Sequence, residues 1–348
     1  MKHAMPEAYL NLDAEDQKDI IQTAAGKLGR QGTVLEKDIW VCWALETLFT
    51  MPNAHPMAFK GGTSLSKVYG ILDRFSEDVD ITLSYSHFED KDYYDYPNKF
   101  DPFAEGTSKN QISKYSNRLK SYVKSYATDV VVPYLEAELA KLKTAKFHTI
   151  KADELGEKIW VSYPSVAEET DEYLKSNVLI ELGGRNVIDP NETHSITPYV
   201  ADITKGVTYP SSDVTVLSPK RTFWEKATLI HVECNRDRLK GNPERLSRHW
   251  YDLVMLSRHE SGQVAVNDRK LFEDVVHHKK VFFDSSKANY EACLQNSLQL
   301  IPKGDLLAGL HIDYEAMLNA GMMYHEPPKF SVIIDEIKHI EDQVNNWK

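Results

Sequence analysis

Apolar residues recur at helical spacing in three stretches of the N-terminal half of the chain. Residues 33–49, TVLEKDIWVCWALETLF, are apolar over most of their length, and Thr33 and Glu36 match a capping box at the start of a buried helix. Residues 65–72 and 115–126 carry apolar side chains three and four positions apart. The pattern therefore predicts three helices in this half.

Shorter stretches with alternating or β-branched residues predict strands between and after these helices. Beyond about residue 218 the pattern is mostly helical, and Ser218 and Pro219 suit the start of a helix. We therefore predict an α/β (α+β) fold with a mixed sheet and N-terminal helices in residues 1–217, followed by a helical C-terminal domain in residues 218–348. The predicted strands are residues 57–59, 78–83, 146–152, 158–163 and 177–182.

The composition indicates a globular protein in a reducing compartment. Cys42, Cys234 and Cys293 lie far apart among the 348 residues and form no CxxC pair. No run approaches the roughly 18 apolar residues of a membrane helix, and the N-terminal residues lack the apolar region of a secretory signal. We therefore expect a cytoplasmic protein with no membrane partner. The net charge of -11 argues against general nucleic-acid binding but allows a local basic surface.

The stretch FKGGTSLSK, residues 59–67, is the first with candidate chemistry. It is similar to a P-loop, but Ser66 and Val68 stand where that motif needs a glycine and a hydroxyl residue. A Gly-Gly-Thr-Ser turn before a helix instead offers backbone N–H groups and two hydroxyls to the phosphates of an NTP. The candidate nucleotide-binding residues of this turn are Gly61, Gly62, Thr63 and Ser64.

Two carboxylates follow in the stretch RFSEDVDITL. Asp78 and Asp80 are separated by one residue on a predicted strand, so both side chains leave the same face. Neighbouring carboxylates repel each other without a cation between them, and Mg²⁺ accepts oxygen ligands from protein and phosphates together. Glu181 is the best third acid of a two-metal site, and Asp202 is the weaker alternative. The sequence thus predicts that Asp78, Asp80 and Glu181 bind two Mg²⁺ ions.

These motifs resemble the nucleotidyltransferase superfamily related to DNA polymerase β, and more closely its AbiEii/AbiGii toxin branch. The resemblance rests on GGTSL and RFSEDVDITL, and also on LEKDIW, VLIELGGR, SPKRTFWEKATLIH and RHWYDL in the expected order. It covers roughly residues 33–256. The interval between Gly62 and Asp78 is longer than in the wider superfamily, so detailed geometry does not carry over from distant polymerases.

The resemblance implies an enzyme that moves NMP from an NTP to an acceptor hydroxyl. The implied acceptor is RNA, with a tRNA 3′ end as one form of it, and the implied partner is a cognate antitoxin. The implied role is that of the toxin of a toxin–antitoxin or abortive-infection system in phage defence. Two alternatives stay open: a small-molecule nucleotidyltransferase of the antibiotic-modifying kind, and a non-catalytic binding protein on the same scaffold.

The resemblance also suggests roles for residues outside the acidic and glycine motifs. Lys226 is expected to bind the triphosphate, although a lysine that extends its charge to water would fit the same helix face. Asp252 is a candidate catalytic residue, although an ion pair with Arg248 one turn earlier explains it equally well. Further candidate nucleotide-binding residues, each with a purely structural alternative, are Lys67, Arg74 and Ser76.

Residues 106–128 form a local basic segment that contains no acidic residue. One interpretation is a solvated helix face with its tyrosines in the core, and the other is an RNA-contacting surface with interleaved aromatic residues. The residues concerned are Lys109, Lys114, Tyr115, Arg118, Lys120, Tyr122, Lys124 and Tyr126.

Overall fold

The computed structural model describes residues 7–88, 100–167, 176–236 and 245–347. The chain divides into two compact units, each described here by itself. The first consists of the described parts of Met1–Val68, Ser76–Lys99 and Asn117–Val216. The second consists of Tyr69–Phe75, Phe100–Ser116 and the described parts of Leu217–Lys348. The domain boundary drawn from the sequence stays a prediction.

A seven-stranded mixed sheet is the centre of the first unit, with strand order β4-β5-β6-β3-β2-β9-β7. Strand β3 pairs in parallel with β6 and antiparallel with β2, so the middle of the sheet is mixed in direction. A second, two-stranded sheet pairs β1 with β8 in parallel. The strands are β1 Glu7–Ala8, β2 Met57–Lys60, β3 Val79–Leu83, β4 Thr149–Ala152, β5 Lys158–Ser162, β6 Asn177–Gly183, β7 Asn191–Ile196, β8 Val207–Thr208 and β9 Ser212–Leu217.

Five helices precede strand β4 in the chain. Helix α2 is buried along nearly its whole length, as its predominantly apolar sequence requires. A π-helical stretch, Ala127–Val131, joins α4 to α5. The helices are α1 Ala14–Leu28, α2 Gly32–Phe49, α3 Gly61–Lys67, α4 Lys109–Tyr126 and α5 Val132–Leu139.

The second unit is helical from Pro219 onwards. Ser218 caps α6 by accepting a hydrogen bond from the Lys220 N–H, and Pro219 takes the first helical position, which confirms the predicted helix start. Its core includes an aromatic group in which the Trp224 ring centroid lies 4.6 Å from that of Phe272 and 5.6 Å from that of Trp347. The helices are α6 Pro219–Cys234, α7 Arg248–Arg258, α8 Glu260–Ala265, α9 Arg269–Phe282, α10 Tyr290–Leu294, α11 Gly304–Asn319 and α12 Phe330–Asn345.

The predicted α/β class with a mixed sheet is confirmed, and two local predictions are wrong. The capping box of Thr33 and Glu36 does not form, because α2 begins at Gly32 and the Glu36 carboxylate instead accepts hydrogen bonds from Ser165 and Val166. The helix predicted over residues 65–72 begins directly at the glycines and ends at Lys67. Within the described residues, no helix combines the length and apolarity needed to cross a membrane.

Candidate active site

Two of the predicted acids lie directly opposite each other in the sheet. Asp80 on β3 is the register partner of Glu181 on β6, and it also faces Lys60 on β2. Residues directly opposite across paired strands share one face, so these side chains meet on the same surface of the sheet. The two carboxylates interact electrostatically, and the charge of Glu181 raises the pKa of Asp80. Asp202, the alternative third acid, lies in the 3-10 helix Tyr199–Asp202 instead.

Electrostatic strain on Asp80 fits a cation-binding role. Burial, together with the charges of Glu181 and Asp78, raises the pKa of Asp80 to about 7 against the opposing effect of Lys60. A hard divalent cation with oxygen ligands would relieve this repulsion. Within the described residues, no three His, Cys, Asp or Glu side chains are already arranged to hold a metal ion. The donor chemistry therefore fits a divalent cation, but the three acids do not form a finished cage.

Gly61 lies against the Asp80 carboxylate. A Cβ atom at position 61 would be 1.9 Å from Asp80 Oδ2 and 2.8 Å from Asp80 Cγ, and the Gly61 φ angle is +81°. Both the left-handed backbone and the close approach therefore require glycine here. The backbone of the glycine turn is thus brought directly to the acidic pair.

Substitution Gly61→Ala should displace the Asp80 side chain and abolish most of the activity of this site. We expect Gly61→Ala to lower the free energy of unfolding by more than the roughly 1–2 kcal/mol of a left-handed backbone alone. Gly206→Ala is the matched control, because Gly206 has a φ of +85° but nothing within 4 Å of its Cβ position. Equal losses of stability in both variants, measured by urea unfolding, would contradict the contact with Asp80.

The hydroxyls of the glycine turn are used inside the protein. Thr63 Oγ1 donates to Ser76 Oγ at 3.0 Å, and Ser64 Oγ donates to the Gly61 carbonyl at 3.0 Å. Both hydroxyl residues are buried. Ser76 accepts the bond from Thr63, so its own proton can be donated to another group. The turn therefore offers its glycine backbone, and the adjacent Ser76 offers a hydroxyl in place of those of Thr63 and Ser64.

Lys67 does not serve as a phosphate-facing cation in this structure. Its ammonium lies 2.6 Å from Asp38 Oδ1 and 2.9 Å from the Thr197 carbonyl oxygen, and its side chain is almost completely buried. Burial alone would lower the pKa of Lys67, but the charge of Asp38 raises it above its usual range. We therefore leave Lys67 out of the candidate nucleotide site.

Three successive charged residues of α2 are buried, and each binds a different segment. Lys37 Nζ lies 2.5 Å from Glu77 Oε2, one residue before Asp78. Asp38 binds Lys67 and accepts from the Tyr199 N–H, while Glu36 binds Ser165 and Val166. Sequence reasoning missed these contacts, although a Glu-Lys-Asp triplet inside an apolar helix was a visible signal. The triplet positions the loop that leads to the acids.

The second unit contains a buried ionic cluster of Arg74, Lys226 and Asp252. The completely buried Asp252 carboxylate accepts bonds from Arg74 Nε and Nη2, each at 2.8 Å, and from Lys226 Nζ at 2.7 Å. Burial alone would raise the pKa of Asp252, but the charges of Arg74 and Lys226 hold it well below its usual range. Lys226 is therefore not a lysine reaching for water, and Asp252 has partners other than the helical neighbour Arg248.

Comparisons with known proteins identify the family. The family model described as nucleotidyl transferase AbiEii toxin, type IV TA system, matches residues 43–336. Among solved structures, the chain is similar to MenT4, a nucleotidyltransferase toxin from Mycobacterium tuberculosis H37Rv, with a TM-score of 0.51 and 14% identity over 95% of this chain and 90% of that one. No curated protein sequence matches. At this identity the structural likeness concerns the fold, whereas the family model covers most of the chain. The chain therefore belongs to the AbiEii family of nucleotidyltransferase toxins of type IV toxin–antitoxin systems and is a nucleotidyltransferase.

Proposed function

We propose that the protein transfers NMP from an NTP to a hydroxyl of an RNA acceptor, in a site built on Asp78, Asp80 and Glu181. The observation that carries this proposal is the opposed Asp80–Glu181 pair with the Gly61 backbone against it. Phosphates can approach this turn closely because Gly61 and Gly62 carry no side chains. Two carboxylates placed this close repel each other, and a divalent cation bound between them would relieve that repulsion.

The proposed cofactor is Mg²⁺, with Asp78, Asp80 and Glu181 as its ligands and two ions as the expected number. When bound, Mg²⁺ neutralises phosphate charge and favours ionisation of the attacking hydroxyl. Glu181 would help to remove the proton of that hydroxyl. Its oxygen then forms a bond to the α-phosphorus, the bond from the α-phosphorus to the bridging oxygen breaks, and pyrophosphate leaves. The Ser76 hydroxyl would donate a hydrogen bond to a phosphate oxygen.

Arg74, Lys226 and Asp252 have a separate place in the proposal. Both cations bind the one carboxylate, so Arg74 and Lys226 lie close together among buried groups. Burial lowers the pKa of Lys226, the charge of Asp252 raises it, and Arg74 and Arg248 lower it further. Arginine and lysine bind phosphate through charge-assisted hydrogen bonds, so we propose phosphate as the ligand of the cluster. Asp252 then fixes the orientation of the two cations.

An RNA acceptor is supported by one face of α4. Lys114, Lys120 and Lys124 are exposed, whereas Tyr115 and Tyr122 are buried in the core. The tyrosines therefore cannot stack on bases, and the support for RNA comes from the cations alone. Arg118 is half-buried, so it is left out of the test below. A cognate antitoxin, a phage-defence role and a cytoplasmic location complete the proposal, as the family implies.

Incubation with total RNA, Mg²⁺ and each α-labelled NTP should label RNA. Replacement of Lys114, Lys120 and Lys124 by Gln should raise the KM for RNA, and should reduce the slope of log affinity against log salt by about 0.7 for each lost phosphate contact. The control replaces the exposed lysines Lys141, Lys143 and Lys146 by Gln. Equal effects of both triple variants would contradict a role for α4. Labelling of small hydroxyl compounds in place of RNA would favour the antibiotic-modifying alternative, and no labelling of any acceptor would favour the binding protein.

A further inference from the structure

Lys158 lies beside the acidic pair, on the strand next to Glu181. It is the first residue of β5 and the register partner of Glu181 on β6. Its Nζ lies 2.9 Å from Glu181 Oε1, and both side chains are accessible, at 48% and 37% exposure. No sequence motif singled out this lysine. Its position comes entirely from the pairing of β5 with β6.

The register places four charged residues in one row across the sheet. Lys158, Glu181, Asp80 and Lys60 are successive partners across β5, β6, β3 and β2. Because directly opposite residues share a face, the two acids are flanked by a lysine on each side. Lys158 also interacts electrostatically with Asp78, and so with two of the three proposed metal ligands. A cation in this position faces any phosphate that the acids and a metal would bind.

We propose that Lys158 is a substrate-binding residue that donates to a phosphate oxygen at this face, and that Glu181 holds its ammonium in position before the substrate arrives. The inference rests on the metal site proposed above. A carboxylate that neutralises a divalent cation attracts a neighbouring ammonium less strongly, which leaves the ammonium available to an anion. Half-exposed lysine–carboxylate pairs are weak, so Lys158 can change its partner at little cost. Charge-assisted bonds to phosphate are stronger than neutral hydrogen bonds.

Two binding measurements on Lys158→Gln should move in opposite directions. Calorimetry in the presence of Mg²⁺ first identifies which of the α,β-methylene analogues of ATP, CTP, GTP and UTP binds the wild-type protein best. The affinity of Lys158→Gln for that analogue should be about tenfold weaker. Binding of Mn²⁺ without nucleotide, by electron paramagnetic resonance, should stay equal or become tighter, because a competing cation is gone. Lys158→Arg should restore most of the nucleotide affinity, since guanidinium also binds phosphate.

The matched control is Lys141→Gln, which breaks another surface lysine–glutamate pair, that of Lys141 with Glu138 at 2.6 Å. It should alter neither measurement. If Lys158→Gln leaves nucleotide binding intact but raises the KM for RNA about tenfold, the phosphate belongs to the acceptor and not to the NTP. Unchanged nucleotide affinity and an unchanged KM for RNA would overturn the proposal. Equal losses of Mn²⁺ and nucleotide binding would also overturn it, because they would indicate a structural role. Absence of Mn²⁺ binding in wild type would contradict the metal site instead, and the nucleotide and RNA measurements would still decide the role of Lys158.

Discussion

Asp78→Asn and Asp80→Asn should each reduce nucleotide transfer by on the order of a thousandfold, because each removes a charge that the proposed metal ions require. The fold should survive. Burial and the neighbouring acids raise the pKa of Asp80, so a neutral amide there relieves repulsion. We therefore expect the melting temperature of Asp80→Asn to equal or exceed that of wild type, while Mn²⁺ binding is lost.

The control for this pair is Asp213→Asn on β9, an exposed strand aspartate of the same unit. It should keep activity, Mn²⁺ binding and stability. Wild-type transfer rates in either Asp78→Asn or Asp80→Asn would eliminate the proposed metal mechanism. Loss of activity accompanied by unfolding would instead assign a structural role to these acids.

Asp252→Ala should destabilise the second unit by about 3–5 kcal/mol, since it removes the carboxylate that the buried cations Arg74 and Lys226 both bind. Urea unfolding would measure this loss. The control is Asp284→Ala, which breaks the exposed ion pair of Lys109 with Asp284 in the same unit and should cost less than about 1 kcal/mol. Similar losses for the two variants would show that the buried cluster contributes no more than a surface pair.

A triple variant separates stability from function in this cluster. Arg74→Met, Lys226→Met and Asp252→Leu together replace all three charges with apolar side chains, which should recover most of the stability lost in Asp252→Ala. If the cluster binds phosphate, this stable variant stays inactive, and recovered activity would restrict the cluster to a structural role.

Acid should weaken the wild-type cluster as well. The pKa of Asp252 is depressed, so its contribution to stability is present above about pH 4 and is lost as pH falls.

Local sequence patterns predicted the elements that bring the acids and glycines together, but not the contacts between those elements. The alternation in residues 78–83 predicted β3, and the run 177–182 predicted β6, so Asp80 and Glu181 could be proposed as partners. The role of Lys158 depends on the register of β5 against β6, which no local pattern fixes. Arg74 and Asp252 are 178 residues apart, so their ion pair depends on tertiary packing.

The burial of charge in α2 shows a second limit of sequence reasoning. An apolar helix was predicted correctly, and its charged triplet was interpreted only as part of the motif LEKDIW and, through Glu36, as a cap. Hydrophobic periodicity treats a charge in such a helix as an exception. It cannot show that the partners of Lys37 and Asp38 come from Glu77 and Lys67, since those pairs form only after the chain folds.

The same triplet restricts how relatives of this protein can vary and be recombined. Lys37 pairs with Glu77 and Asp38 pairs with Lys67, so two adjacent residues of α2 each have a buried partner of opposite charge. Change at any one of the four positions breaks a buried ion pair, so positions 37 and 77, and positions 38 and 67, should vary as matched pairs across the family. Chimeric toxins that exchange residues 61–78 between relatives should therefore remain folded only when α2 comes from the same parent.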